Sequence, residues 1–406
     1  LRINIKYRIT FDFLGPNTMD QLSPKIRETL NKIIKEEGYV NQNVETHKMG
    51  TNGGSYQGVL YEITVTGQTG DGHRITNIFL KHLIENYESF KLYPVIEVYR
   101  REAFVYNELS NVFRELEDEA NVPQSDRYKI VKNYECSTEA IILENIFKLG
   151  YETIPRLEVM PLKLAKLSVE QLAKFHALSF VLKVKRPEYF DDRIKPLKQC
   201  MVFDEIYRDF MKKMFDISLD ILDEERRKKV ADFYPTMVEE FPKYVRGEKT
   251  TIKCLCHGDF RISNIMMKET EGEITDMVPI DYQQVYYGSP LIDFIYLTFT
   301  ASDRQFRKDH LNHLKDIYFE TLQNFLKYFD IDVATVYPRD EFEKDFQICL
   351  NYGLMVSMYF MPFFFVLEED TPDLNEELSE LTLKLDPVFT DRLRGIIDDF
   401  VEWGYL

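Results

Sequence analysis

His257-Gly258-Asp259-Phe260-Arg261-Ile262-Ser263-Asn264 is a polar loop between two apolar, strand-like runs, 252–256 before it and 265–268 after it. A turn at Glu271-Gly272 and a further apolar run at 277–281 complete a short β region ending in Ile280-Asp281-Tyr282-Gln283. The loop sets an acid and an amide five positions apart, and the hairpin that follows folds Asp281 back beside Asn264. Any one of these residues alone reads as a turn or cap. Together they form an oxygen-rich set with strand support on both sides.

Asp followed five residues later by Asn is the spacing of a kinase catalytic loop, in which the Asp accepts the substrate hydroxyl proton and the Asn holds a divalent cation. Phosphoryl transfer is mainly positioning and charge neutralisation. One carboxylate orients the nucleophile, and hard oxygen ligands hold Mg²⁺. Asp259 is therefore the candidate base, and Asn264 and Asp281 are the candidate metal ligands. His257, His176 and Asp293 read as structural: His257 orients backbone, Asp293 braces the loops, and His176 packs in a helix.

Outward from the loop, 44–83 reads as β. A strand at 44–49 and a glycine-rich turn at 50–55 lead to a strand at 56–66, a hairpin turn at 67–72 and a strand at 75–83. Ahead of them, Ser23 is a good N-cap and Pro24 a good first helical residue for a helix to about 37. Apolar residues at helical spacing predict a helix over 95–117. Strands at 128–135 and 139–143 follow. Beyond about residue 160 the chain turns helical, with long amphipathic patterns at 168–182 and 201–246 and helices again from 290. Residues 1–18 alternate weakly and read as an extension of uncertain structure. The fold class is α+β: a bilobal, protein-kinase-like fold. A small β-rich N-lobe with one main helix spans 19–147, and a large, mainly helical C-lobe spans 148–406.

In such a fold, Lys81 at the end of 78–81 stands where a lysine touches the α/β-phosphates, and its partner is a Glu on the next helix, Glu102 or Glu97. Backbone N–H groups of Gly53 and Gly54, with Ser55, are candidates to cover the phosphates, against the rival reading of a plain hairpin turn. That turn does not fit G-x-G-x-x-G.

With 51 basic and 68 acidic residues the net charge is −17. Such a chain is repelled by nucleic acid and by anionic lipid. The one compact basic run, Arg226-Arg227-Lys228-Lys229, follows Asp223-Glu224-Glu225 and reads as a solvated helix face. Five sparse cysteines argue against a disulfide framework. Cys254-x-Cys256 by itself is a poor zinc site. No basic-then-apolar leader is visible, and a cytoplasmic setting is expected. The most apolar stretch, 359–367, is far short of the roughly 20 residues a bilayer needs. It reads as a buried helix kinked by Pro362, or as the aromatic wall of an apolar pocket.

The stretches Leu255-Cys-His-Gly-Asp259, Asn264-Ile-Met-Met, Ile280-Asp-Tyr-Gln283, Tyr287-Gly-Ser-Pro-Leu-Ile-Asp-Phe-Ile-Tyr296 and Leu172-Ala-Lys-Phe-His-Ala-Leu-Ser179 carry a wider likeness. The chain resembles the ecdysteroid-kinase-like (CHK-kinase-like) family, within the aminoglycoside phosphotransferase and choline kinase superfamily, over about residues 20–400. The resemblance implies ATP and Mg²⁺ as cofactors, with Asp259 as base, Asn264 and Asp281 as metal ligands, and a hinge at Glu144-Asn145-Ile146 whose backbone binds adenine. It also favours Glu102 over Glu97 as the partner of Lys81. It implies a kinase whose acceptor is a small, lipophilic alcohol such as an ecdysteroid or a xenobiotic metabolite. Two rivals stay open: a kinase of polar, choline-like or aminoglycoside-like acceptors, and a silent nucleotide-binding pseudokinase. The sequence departs from the family at Arg261, usually Trp, and at Ser263, usually Asn. Arg261 is then either a contact to a phosphate or polar acceptor group, or an exposed loop residue. Oligomeric state is open.

Overall fold

Ser23 caps helix α1 (Pro24–Glu36) through a hydrogen bond from the Ile26 N–H to its Oγ at 3.4 Å, and Pro24 occupies the first turn, where no N–H is needed. The helix stops at Gly38, whose φ of 82° is cheap only for glycine. The structure is a computed structural model and describes residues 19, 22–49, 58–83, 94–367 and 383–406. The 1–18 extension and the turn at 50–55, with Gly53, Gly54 and Ser55, lie outside the described residues.

The chain forms two compact units. The first takes in residues up to Phe90, Pro94–Asn111 and Val131–Tyr151. Its five strands, β1 (Asn41–Lys48), β2 (Gly58–Thr69), β3 (Gly72–Leu83), β4 (Asn133–Cys136) and β5 (Ala140–Glu144), form one antiparallel sheet in the order β1-β2-β3-β5-β4. Ile26, Leu30, Ile33 and Ile34 of α1 bury against Tyr61, Ile63, Val65, Ile78, Leu80 and Ile142 of the sheet. At about 1.5–3 kcal/mol per buried aliphatic side chain, the four helical residues contribute at most about 6–12 kcal/mol. The β2–β3 turn is tighter than expected. Pairing runs to Thr69↔Gly72, leaving Gly70-Asp71 as a two-residue loop.

The second unit comprises Lys91–Tyr93, Val112–Ile130 and Glu152–Leu406. The expected helix over 95–117 is observed as α2 (Val95–Phe104), a π turn at Val105–Leu109, and α3 (Ser110–Glu119). The strand expected from 128 begins only at Asn133. The Tyr128 N–H goes to Glu117 Oε1 at 2.8 Å and that of Lys129 to Gln171 Oε1 at 3.0 Å, so side chains take the bonds a ladder would use. Strand β6 (Tyr151–Thr153) precedes α4 (Leu162–Lys185), which packs on later elements along most of its length. From Phe175 to Leu182 every residue is buried, so its amphipathic reading gives way to a central helix.

Then come α5 (Pro187–Tyr189), α6 (Glu205–Asp220) and α7 (Glu224–Val245). Asp223 caps α7. Of the basic run, Arg227 and Lys228 are exposed, whereas half-buried Arg226 pairs with Asp223 and with both oxygens of Asp398, so the run is not merely a solvated face. Strand β7 (Cys254–Cys256), the hairpin β8 (Ile265–Thr270) and β9 (Glu273–Pro279), and β10 (Tyr286–Gly288), antiparallel to β7, carry the loops of interest. The helices α8 (Pro290–Thr300), α9 (Arg304–Lys327), α10 (Val333–Val336), α11 (Arg339–Tyr359), α12 (Met361–Phe364) and α13 (Val388–Glu402) close the chain. Pro362 does not kink a continuous helix. Lacking an N–H, it starts the separate short α12 after α11 has ended. The α+β class expected from the sequence, with a β-rich unit and a larger, mainly helical one, is the one observed.

Candidate active site

In the first unit Lys81 lies mid-sheet, paired with Leu60 on β2 and Ile141 on β5. Its Nζ donates to Glu102 Oε2 at 2.8 Å and stands 5.4 Å from the centre of the Tyr99 ring, and both partners of the ion pair are nearly buried. Between the two candidate glutamates the fold chooses Glu102, because Glu97 instead pairs with Arg101 at 3.1 Å and with Arg100. Removing one member of a buried pair leaves an uncompensated charge, a cost of about 3–5 kcal/mol. Gly58 supports this lysine: a Cβ there would stand 2.6 Å from Tyr99 Oη and 3.1 Å from Lys81 Cγ. Glu144 ends β5, and Asn145 caps a one-turn 3₁₀ segment beginning at buried Ile146, with Phe147 N–H donating to its Oδ1.

In the second unit the loop after β7 is held from below. Asp293, buried in the first turn of α8, accepts the His257 N–H on Oδ2 at 2.6 Å and the Gly258 N–H on Oδ1 at 2.9 Å. Its Oδ2 also contacts His176 Nε2 at 3.1 Å, and His176 Nδ1 meets Tyr318 Oη at 2.7 Å. Gly258 has φ +81°, and a Cβ would lie 2.1 Å from the Gln284 carbonyl oxygen, so the loop and the segment after Asp281 touch backbone to backbone. His257 donates from Nε2 to the Ile280 carbonyl at 3.2 Å. Burial pushes its pKa below the usual value despite the nearby Asp293, Asp259 and Asp281, so it works as a neutral brace.

Asp259 sits on this platform. Its Oδ2 accepts from Asn264 Nδ2 at 2.9 Å, and the same amide donates to the Asp259 carbonyl at 2.9 Å. Its Oδ1 accepts from Tyr296 Oη at 2.9 Å, and Arg261 Nε lies 3.1 and 3.3 Å from the two oxygens. Burial, and then the Asp259 charge, push the Tyr296 phenol well above its ordinary pKa, so it remains a hydroxyl donor. The Arg261 guanidinium stacks over Phe364 at 4.7 Å. Burial alone would weaken its hold on its proton, but the charges of Asp259 and Asp281 outweigh that, so it stays cationic.

The hairpin brings Asp281 to Asn264 through the bond from Ile280 N–H to the Asn264 carbonyl, 3.0 Å. Asp281 has left the strand. Its φ of 69° is left-handed, a conformation that costs about 1–3 kcal/mol outside glycine and concentrates at functional sites. Gln283 Nε2 donates to its Oδ2 at 3.2 Å. Asn264 directs Nδ2 at Asp259, so its Oδ1 is the oxygen that could serve a metal, and the Asp281 carboxylate is a second hard donor nearby. Both suit Mg²⁺ chemically.

Two supports of this site were not singled out as such from the sequence. Tyr296 lies one helical turn after Asp293, and that i, i+3 spacing on α8 is the signal that it shares Asp293's face. Gly58 carried no signal beyond being a glycine at a strand start. The tertiary structure also brings His176 beside Cys254 and Cys256, with ligand atoms within 4.8 Å of one another. Burial raises both thiol pKa values, and both His176 nitrogens already have protein partners. All five cysteines are buried free thiols.

Residues 52–331, more than half of the chain, match the ecdysteroid kinase-like family. The chain belongs to that family. It is a family of small-molecule kinases, phosphotransferases that act on hydroxyl groups. No curated protein gives a significant match. Among solved structures, an ethanolamine kinase of Plasmodium vivax is 12% identical with a TM-score of 0.38, over 96% of this chain and 87% of its own. An aminoglycoside phosphotransferase of Streptomyces rimosus in complex with ADP and streptomycin is 12% identical with a TM-score of 0.31, over 80% and 98%. A GDP and kanamycin complex of an aminoglycoside phosphotransferase is 12% identical with a TM-score of 0.35, over 82% and 97%. Membership rests on the family match alone. Among the described residues no helix is long and apolar enough to cross a membrane.

Proposed function

We propose that the chain transfers the γ-phosphate of ATP to a hydroxyl of a small, lipophilic acceptor, such as an ecdysteroid or a xenobiotic alcohol. The observation that carries this reading is the Asp259–Asn264 bond of 2.9 Å, with Asp281 one residue beyond the backbone bond that ties Ile280 to Asn264. An acid oriented by an amide, with a second carboxylate alongside, is the minimum set for in-line phosphoryl transfer.

Asp259 takes the proton of the acceptor hydroxyl as its oxygen forms a bond to the γ-phosphorus. The bond from γ-phosphorus to the bridging oxygen breaks, and ADP leaves with that electron pair. Asn264 Oδ1 and Asp281 would hold Mg²⁺, which neutralises charge developing on the phosphoryl oxygens. Tyr296 and Asn264 fix the Asp259 carboxylate, so the reaction pays little to reorient it. In the first unit, Lys81, held by Glu102, suits the α/β-phosphates, with Gly53, Gly54 and Ser55 as further phosphate contacts. Glu144 and Ile146 are assigned to adenine. The lipophilic acceptor is favoured by the aromatic surroundings of Asp259, where Tyr296 and Phe364 have ring centres 6.2 Å apart.

The test is transfer of label from γ-labelled ATP with Mg²⁺ to a panel of ecdysteroids, other lipophilic alcohols, choline and aminoglycosides. Asp259→Asn and Asp281→Ala should each lose at least about 10³-fold in kcat. Unchanged Mg²⁺-dependent turnover in Asp281→Ala, or nucleotide binding by the wild type with transfer to no acceptor, would refute the reading.

A further inference from the structure

We propose that Arg261 sets the charge of the acceptor, so that the site takes alcohols that are uncharged or anionic near the reacting hydroxyl and rejects cationic ones. The proposal rests on the kinase reading above and refines it.

Asp259 has room for about four hydrogen bonds on its two oxygens. Tyr296 takes one on Oδ1 and Asn264 one on Oδ2, while Arg261 Nε straddles both at 3.1 and 3.3 Å. An acceptor hydroxyl must use what remains of that carboxylate, so its neighbouring atoms come within a few ångströms of the guanidinium. The arginine is not a loose surface chain. The Phe364 ring centre lies 4.7 Å from its Cζ, and only a quarter of the arginine side chain is exposed. Its two terminal nitrogens have no hydrogen-bond partner among the described residues, so they remain donors for a ligand.

The charge count follows. Arg261 offsets the Asp259 carboxylate that an amine or quaternary ammonium group next to the hydroxyl would lean on, and it repels that group directly. At a partly exposed site, a unit charge a few ångströms from another of the same sign costs an order of magnitude or more in affinity. The net charge of −17 attracts cations toward the whole molecule. That field is screened beyond about 8 Å at physiological salt, so the local guanidinium decides at contact. A hydroxyl, carbonyl or carboxylate oxygen near the reacting group gains instead, because it can accept from the terminal guanidinium nitrogens.

The experiment uses the full chain with saturating MgATP and two acceptors of equal shape: choline, and 3,3-dimethylbutan-1-ol, in which carbon replaces the quaternary nitrogen. The wild type should favour the neutral alcohol by at least about tenfold in kcat/KM. Arg261→Gln should cut that preference by about tenfold through a gain on choline, and Arg261→Lys, which keeps the charge, should preserve it. A merely structural role would not distinguish Lys from Gln in this way. No gain of choline transfer in Arg261→Gln, or an equal gain in Arg261→Lys, overturns the proposal. A wild-type chain that binds no MgATP, or transfers phosphate to no alcohol of any kind, instead sinks the kinase reading itself, and this proposal with it.

Discussion

Asp293→Asn tests the platform under the catalytic loop without touching the loop itself. The carboxylate accepts two adjacent backbone N–H groups on opposite oxygens, at 2.6 and 2.9 Å, and meets His176 Nε2 at 3.1 Å. Asparagine is nearly the same size but offers one oxygen and one NH₂. Whichever way it turns, a buried N–H of His257 or Gly258 faces a donor. An unsatisfied buried donor costs about 1–3 kcal/mol, and the remaining bonds lose the charge that roughly doubled their strength. The sum is about 2–4 kcal/mol. For a unit of this size that is a fall in Tm of about 4–10 °C, read by circular dichroism. The same shift displaces Asp259, and a misplacement near 1 Å costs about 100-fold in rate. A variant that melts within 1 °C of the wild type and keeps its kcat/KM would refute the claim that Asp293 positions the loop.

Two further outcomes follow from buried groups. Burial raises the Glu117 carboxyl from 4.5 to about 7, although it accepts the Tyr128 N–H and has Arg127 and Lys174 nearby. Below pH 4.5 both folded and unfolded chains hold this proton. Between there and pH 7 only the unfolded chain releases it, so the group's contribution to stability falls by up to about 3 kcal/mol as pH rises through that window. Glu117→Gln keeps the acceptor oxygen and removes the titration, so its Tm advantage over the wild type should grow from pH 5 to pH 8. A pH-independent difference would contradict this. Gly258→Ala forces a Cβ to within 2.1 Å of the Gln284 carbonyl at a positive φ, so the two loops must part. Thermal melting should drop by several degrees and turnover by at least about tenfold, and a silent substitution would show that the close approach is dispensable.

Much of this was legible along the chain because it is local. The cap of α1 follows from Ser23-Pro24, and the β8–β9 hairpin from Glu271-Gly272 between apolar runs, since both depend on residues a few positions apart. The strand expected over 128–135 forms only from Asn133, and its first part fails for a non-local reason. Glu117 and Gln171 reach in and take its N–H groups, and neither neighbour is visible from propensity. Likewise, the periodicity of α4 marks a helix but not that later elements would surround it.

The order of residues alone set the chemistry on offer: an Asp and an Asn five apart, a second Asp at the end of the next hairpin, a Lys on a strand and an Arg where the family carries Trp. Spacing is enough for that, because loop length and hairpin register are short-range properties. Glu102, with Glu97 as fallback, and Asp293 as a brace were already expected, but only the tertiary structure decided the atoms each one meets, and that Tyr296 and Arg261 share the Asp259 carboxylate. These are contacts among segments far apart in the chain or among rival neighbours at similar spacing. They are chosen by packing and by the need to satisfy buried polar groups, and no local pattern encodes them.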